Sequence, residues 1–156
     1  MNLRAVLTHP NDRLRQKAKE VPVGEIASKE IQQVIDDLVD TMGVENGVGL
    51  AAPQIGAHRR IIVTDVDGVL VLVNPEIIGK SLRKIDFEEG CLSVPGVYGL
   101  VRRHREVKVR ALNRHGEPIT IKASGLLAIV LQHETDHLDG ILFTDKVVRY
   151  TSPPRM

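Results

Sequence analysis

A chain of 156 residues is close to the length of one ordinary domain. Its 21 basic residues against 20 acidic ones leave a net charge of +1, and its aromatic residues are two Phe and two Tyr with no Trp, so a phosphate backbone or a row of stacked bases would find little to hold it. The longest apolar run, Leu126 to Leu131, is far short of the roughly 20 residues that cross a bilayer, and Met1 to Pro10 lacks the apolar core of a secretory signal, so the expected address is the cytoplasm, or an organelle matrix after loss of a transit peptide.

Between Ser28 and Gly43 the apolar residues Ile31, Val34, Ile35, Leu38, Val39 and Met42 recur every three or four positions, which predicts an amphipathic helix capped by Ser28 and stopped by Gly43. Gly47 to Gly56, GVGLAAPQIG, reads as a loop whose backbone approaches something closely. The β-branched runs Ile61 to Val66 and Val69 to Val73 flank Asp67-Gly68 and predict a hairpin. Ser81 to Phe87 reads as a further strand, and Glu106 to Leu112, a turn at Asn113 to Gly116 and Ile119 to Lys122 as a second hairpin. From Ser124 to Leu138 apolar residues cover most of a helix circumference, so this helix is expected to be buried and to end at Gly140. The pattern predicts an α+β fold, with antiparallel sheets packed around a buried C-terminal helix and a second, amphipathic helix near the N-terminus. Residues 1–150 are read as a single domain and 151–156 as a short irregular tail stopped by Pro153-Pro154.

The buried helix carries His133-Glu134-Thr135-Asp136-His137. At 100° per residue the two histidines lie 40° apart and one turn along, so both rings can reach one metal ion. Glu134 lies beside them, where a carboxylate can take a proton from activated water. The plainer reading is a helix with two partly exposed histidines, but polar side chains on a buried helix need partners. The single cysteine, Cys91, cannot form an intramolecular disulfide, so its role is packing, catalysis or metal binding. It stands in EGCLSVP, where glycine and proline hold the backbone as ligand-bearing loops require. His9, His58, His104 and His115 fall in polar or loop segments and are expected to be solvated.

GVGLAAPQ at Gly47 to Gln54, EGCLS at Glu89 to Ser93 and HETDH at His133 to His137, in that order, closely resemble the three signature motifs of peptide deformylases, and the likeness runs from about His9 to about Asp145. The resemblance implies hydrolysis of the N-formyl group of new polypeptides, with release of formate. It implies one divalent metal held by Cys91, His133 and His137, ferrous iron in the cell, with Zn2+, Ni2+ or Co2+ in preparations. By the same likeness Glu134 is the general acid/base, and Gln54 and the Leu92 N–H form the oxyanion hole. Its substrates would be N-formylmethionyl nascent peptides, met near the ribosomal exit tunnel. No direct nucleic-acid site and no membrane span are expected. Three departures stand out. Thr135 replaces a usual hydrophobic residue and is expected to point away from the metal face. Tyr98 stands where many bacterial members carry a peptide-holding arginine. The C-terminal helix that many bacterial members use for ribosome docking is expected to be absent.

Counting back from His133, Val130, Ile129 and Leu126 lie three, four and seven residues earlier and are expected to form an apolar wall for a methionine side chain. Val48 and Gly49 are assigned to the peptide backbone, and Glu89 to the substrate side of the site as a group orienting the cysteine loop. Two alternatives carry different chemistry. A zinc peptidase also uses His-Glu-x-x-His but takes its third ligand downstream, where this chain offers only Asp139 and Asp145. A non-catalytic structural metal site would need a fourth protein ligand, and there is no second cysteine.

Overall fold

The computed structural model describes residues 3–152. The first helix, α1 (Lys29–Val44), starts as its pattern requires: the Ser28 hydroxyl accepts from the Ile31 N–H at 3.3 Å, and Ile31, Val34, Ile35, Leu38 and Met42 are buried. Its end differs from expectation by a few residues. Gly43 lies within the helix, and the left-handed turn that ends it falls at Asn46 (φ 54°), a residue type that tolerates that region.

The segment expected to be a loop contains order of its own. Strand β1 (Gly49–Ala51) pairs antiparallel with β2 (Ile61–Asp65), and a 3-10 turn over Ala52–Ile55 joins them. The predicted hairpin is present, with Asp65 opposite Val69, but β3 (Val69–Lys80) runs well past Val73. Register shifts after Val73 and after Ile77 let it leave β2 and continue along β6 (Glu106–Leu112). With β7 (Pro118–Ser124) the sheet order is β1-β2-β3-β6-β7. Ile61, Val63 and Val73 pack with α1, while Ile62 and Leu72 pack with Ala128, Leu131 and Leu138 of α2 (Gly125–Leu138). Burial on both faces is why β2 opens on three consecutive apolar residues, Ile61, Ile62 and Val63.

The second sheet has the order β4-β5-β8. Its first strand, β4 (Lys84–Cys91), begins later than the expected Ser81, because the Ser81 hydroxyl turns back to donate to the Arg83 carbonyl at 2.8 Å. Strands β5 (Val94–His104) and β8 (Val147–Tyr150) were not expected. Pro95, Gly96 and Gly99 interrupt the pattern of the first, and the second is only four residues long. Helix α2 is buried as predicted and is followed by Gly140 at φ +75°, whose Cα lies against the Arg15 backbone and leaves no room for a side chain. Thr151 and Ser152 bond back to the Tyr98 carbonyl, and the rest of the expected tail lies outside the described residues. Among the described residues no helix is long and apolar enough to cross a membrane.

Candidate active site

Helix α2 presents His133 and His137 on one face, and the end of β4 brings Cys91 to them. The His137 Nε2 lies 3.3 Å from the Cys91 Sγ and 3.3 Å from the His133 Nε2. One shared proton could satisfy one of these contacts but not both. Tetrahedral ligation at ~2.0–2.3 Å places neighbouring donors about 3.3–3.6 Å apart, so the spacing suits a cation. Burial, then the neighbouring His133, holds the His137 ring well below the usual imidazole range, in the neutral form that ligates metal. His133 is drawn the other way: despite burial, Cys91, Glu89 and Glu134 raise it well above that range. Two imidazoles and a thiol whose donor atoms all lie within 4.8 Å of one another fit a divalent ion.

The next layer was only partly legible in the sequence. The Glu89 carboxylate accepts from the His133 Nδ1 at 2.7 Å and from two Arg103 nitrogens at 2.8 and 2.9 Å. It therefore orients the histidine, a partner the sequence did not point to. Burial alone would raise its carboxyl, but Arg103 and His133 overcome that and hold it at about 2. Arg103, 3% exposed, also donates to Asp136 at 2.6 Å, and Asp136 meets Lys146 at 3.0 Å. Sequence reasoning missed Arg103, because in the run Val101-Arg102-Arg103-His104-Arg105 nothing but strand register separates the buried arginine from its exposed neighbours.

Glu134 is buried beside the three donors, its Oε1 4.0 Å from the His137 Nε2 and without a hydrogen-bond partner among the described residues. Desolvation is the main force pushing its carboxyl up to about 7. The close approach expected of the glycine-rich segment is to this side chain: a Cβ on Gly49 would lie 2.5 Å from the Glu134 Oε2. Gln54, also buried, is held by the Ala51 N–H, which donates to its Oε1 at 2.9 Å. Its Nε2 donates to the Ser93 hydroxyl at 3.0 Å and reaches the Cys91 Sγ at 3.6 Å. Leu92 lies in the turn between β4 and β5, next to Cys91.

The model of the polypeptide deformylase family matches residues 3–152. The chain belongs to that family. A peptide deformylase from Acetivibrio thermocellus is 48% identical over all of this chain and 90% of that relative. The crystal structure of a Legionella pneumophila peptide deformylase, 46% identical, superposes with a TM-score of 0.88 over 94% of this chain and 86% of its own. The Met-Ala-Ser-bound class I type b peptide deformylase from Acinetobacter baumannii, 37% identical, gives 0.90 over 94% and 100%. The chain is a metal-dependent hydrolase that removes the N-formyl group from newly made polypeptides.

A cleft of about 700 Å³ opens over Cys91, His133 and Glu134. The three wall residues predicted on α2 all line it: Ile129 and Val130 are almost fully buried, while Leu126 is 41% exposed at its mouth. Val48 and Gly49, at the start of β1, line it next to Val130 and Glu134, and Tyr98 lines it as well. Thr135 is buried, with its hydroxyl unpartnered among the described residues. Of the remaining histidines, His9 and His115 are exposed and His58 half-buried. His104 is also half-buried and differs from expectation in that its Nδ1 meets the Ser81 carbonyl at 2.8 Å.

Proposed function

We propose that Cys91, His133 and His137 hold one divalent ion, Fe2+ in the cell, and that Glu134, Gln54 and the Leu92 N–H carry out the deformylation around it. The convergence of three soft or borderline donors beside a buried, unpartnered carboxylate is the observation that supports this reading. Bound there, a divalent ion supplies Lewis acidity and an attacking water that ionises near neutral pH. Zn2+, Ni2+ or Co2+ can take the same donors in preparations.

Glu134 accepts the proton of the attacking water and later delivers it to the leaving amine, a task suited to a carboxyl raised to about 7. The Gln54 carboxamide is fixed through its oxygen, so its N–H group is aimed at the site before substrate arrives. It and the Leu92 N–H meet the oxyanion as charge develops on the formyl oxygen. Glu89, itself held by Arg103, fixes the ring of His133. Strand β1 is the outer strand of its sheet, so its free edge can pair with an extended peptide, and the absence of a side chain at Gly49 keeps Glu134 within reach of it. Leu126, Ile129 and Val130 then receive the methionine side chain. The substrates are N-formylmethionyl nascent chains, met in the cytoplasm or an organelle matrix near the ribosome. The Met-Ala-Ser complex of the Acinetobacter relative supports this reading of the cleft.

Formate release from formyl-Met-Ala-Ser by iron- and nickel-loaded protein tests the proposal. Both forms should turn over, and formyl-Ala peptides should be poorer by about 10-fold or more, as each lost methylene is worth about 0.8 kcal/mol. Equal use of formyl-Met, formyl-Ala and formyl-Asp peptides, or internal cleavage of unformylated peptides, would count against it.

A further inference from the structure

The two oxyanion donors come from different sheets. Gln54 sits on the turn that joins β1 to β2 in the first sheet, and Leu92 in the turn between β4 and β5 in the second, so no single ladder of hydrogen bonds sets the distance between them. Side chains join the two turns where the Gln54 Nε2 donates to the Ser93 hydroxyl at 3.0 Å. That bond takes one N–H of the carboxamide and leaves the other for substrate. The flexible Gln54 side chain can keep it while the two backbones move apart, so it does not by itself fix their spacing.

The N-terminal segment supplies the backbone connection. Residues 3–8 belong to no helix or strand, yet the Leu7 N–H donates to the Gln54 carbonyl at 2.7 Å and the His9 N–H to the Ser93 carbonyl at 2.8 Å. N–H groups two residues apart on an extended chain face the same way, so one short stretch bridges the two turns. Gln54 and Ser93 are both buried, where water cannot stand in for a lost donor. The stretch is itself held at both ends. Upstream, the Arg4 N–H donates to the Thr41 hydroxyl at 3.1 Å, and its guanidinium meets the buried Asp37 carboxylate of α1 at 2.9 Å. Downstream, the Asn11 N–H donates to the Thr8 carbonyl at 3.0 Å, and the Asn11 side chain caps the 3-10 turn over Asp12–Arg15. Between these anchors the Leu7 side chain packs on the cluster of Leu14, Val94, Val101, Leu142 and Phe143.

We propose that the main chain of Leu7 and His9 is a positioning element of the reaction, whose two N–H groups hold the Gln54 carboxamide and the Leu92 N–H at the separation the developing oxyanion needs. The inference rests on Gln54 and Leu92 being the oxyanion donors. Because the formyl oxygen gains its charge only as the attack proceeds, a loosened donor pair weakens transition-state binding more than substrate binding. The loss therefore falls on kcat and leaves KM and the bound metal unchanged.

The test replaces the Leu7 amide by an ester, with leucic acid placed at that position, which removes the N–H and keeps the side chain. In the nickel-loaded enzyme kcat for formyl-Met-Ala-Ser should fall on the order of 10-fold, less than the ~10²-fold of a deleted donor, with KM within about 2-fold of wild type and metal content unchanged. The same exchange at Thr8, whose N–H lies between the two and bonds to neither carbonyl, should leave kcat near wild type. On a Gln54→Ala background the Leu7 ester should have no further effect, since its action runs through that side chain. A role in stability alone would lower the melting temperature and leave kcat per folded molecule unmoved, and that result overturns the proposal. So does a loss of about 10-fold that persists in Gln54→Ala. Where the Leu7 ester does not fold, the His9 ester tests the Leu92 end by the same split of kcat from KM, and a wild-type kcat there overturns the proposal. A Gln54→Ala enzyme with wild-type kcat overturns instead the reading of the site on which the inference rests.

Discussion

Helices α1 and α2 have 16 and 14 residues and pack on opposite faces of β2, but they hold their polar residues in different ways. On α1, Glu30, Gln33 and Asp36 face water, and the two polar residues it buries, Asp37 and Thr41, are met by Arg4 through bonds of 2.9 and 3.1 Å. On α2, Gln132, Glu134, Thr135 and His137 are all buried. Gln132 finds the backbone of His104 on β5, but Glu134 Oε1 and His137 Nδ1 find no hydrogen-bond partner among the described residues. Burying polar groups without full protein partners costs stability, so α2 gives up stability at the position where the proposed chemistry uses those groups. One helix is built for packing, and the other for the site.

That contrast can be broken at several points. The largest effect is expected from His137→Ala, which should remove most bound metal and nearly all activity; full metal content by elemental analysis would refute the ligand assignment. Glu134→Gln should keep metal and fold while kcat/KM falls by roughly 10²-fold or more, the scale of a lost general base. Loss of metal along with activity would mean Glu134 is a ligand. On the packing helix the order should invert. Ile35→Ala, at a fully buried position, should cost about 2–4 kcal/mol in denaturant unfolding while metal content and kcat/KM per folded molecule stay near wild type. A comparable loss of metal affinity would show that α1 also shapes the site.

The smallest effect is expected outside both helices. Asp145 is partly exposed, and its carboxyl is held below its ordinary value chiefly by the hydrogen bond from Arg15. A lowered carboxyl stabilises the fold above the ordinary aspartate range and loses that contribution as pH falls through it. Asp145→Asn should therefore cost no more than about 1 kcal/mol at pH 7, and the gap from wild type should narrow below about pH 4. A gap that widens on acidification would contradict the assignment.

Much of the fold was legible where one element carried its own signal. Ser28 and the spacing of Ile31 to Met42 specified α1, and the β-branched runs around Asp67-Gly68 specified the β2–β3 hairpin. Strands β1, β5 and β8 were not legible, because short length or Pro95, Gly96 and Gly99 hid a period that only pairing with a neighbour enforces. In the site, the two histidines and Glu134 were readable from helix geometry alone. The buried state of Arg103 was not, since an alternating strand does not say which of several arginines faces inward.

By itself, the sequence determined whatever depends on local geometry: the one-turn separation of His133 and His137, the place of Glu134 beside them, and the apolar row of Val130, Ile129 and Leu126 on the same helix. Only the tertiary structure decided which distant groups met them. Cys91 comes from the end of β4, Gly49 from β1 and Arg103 from β5, and each contact depends on how the two sheets close around α2. The physical reason is range. A helical turn sets distances of a few ångströms along one segment, whereas the charge and proton balance of a buried site is settled by whichever strands the packing of the core brings alongside it.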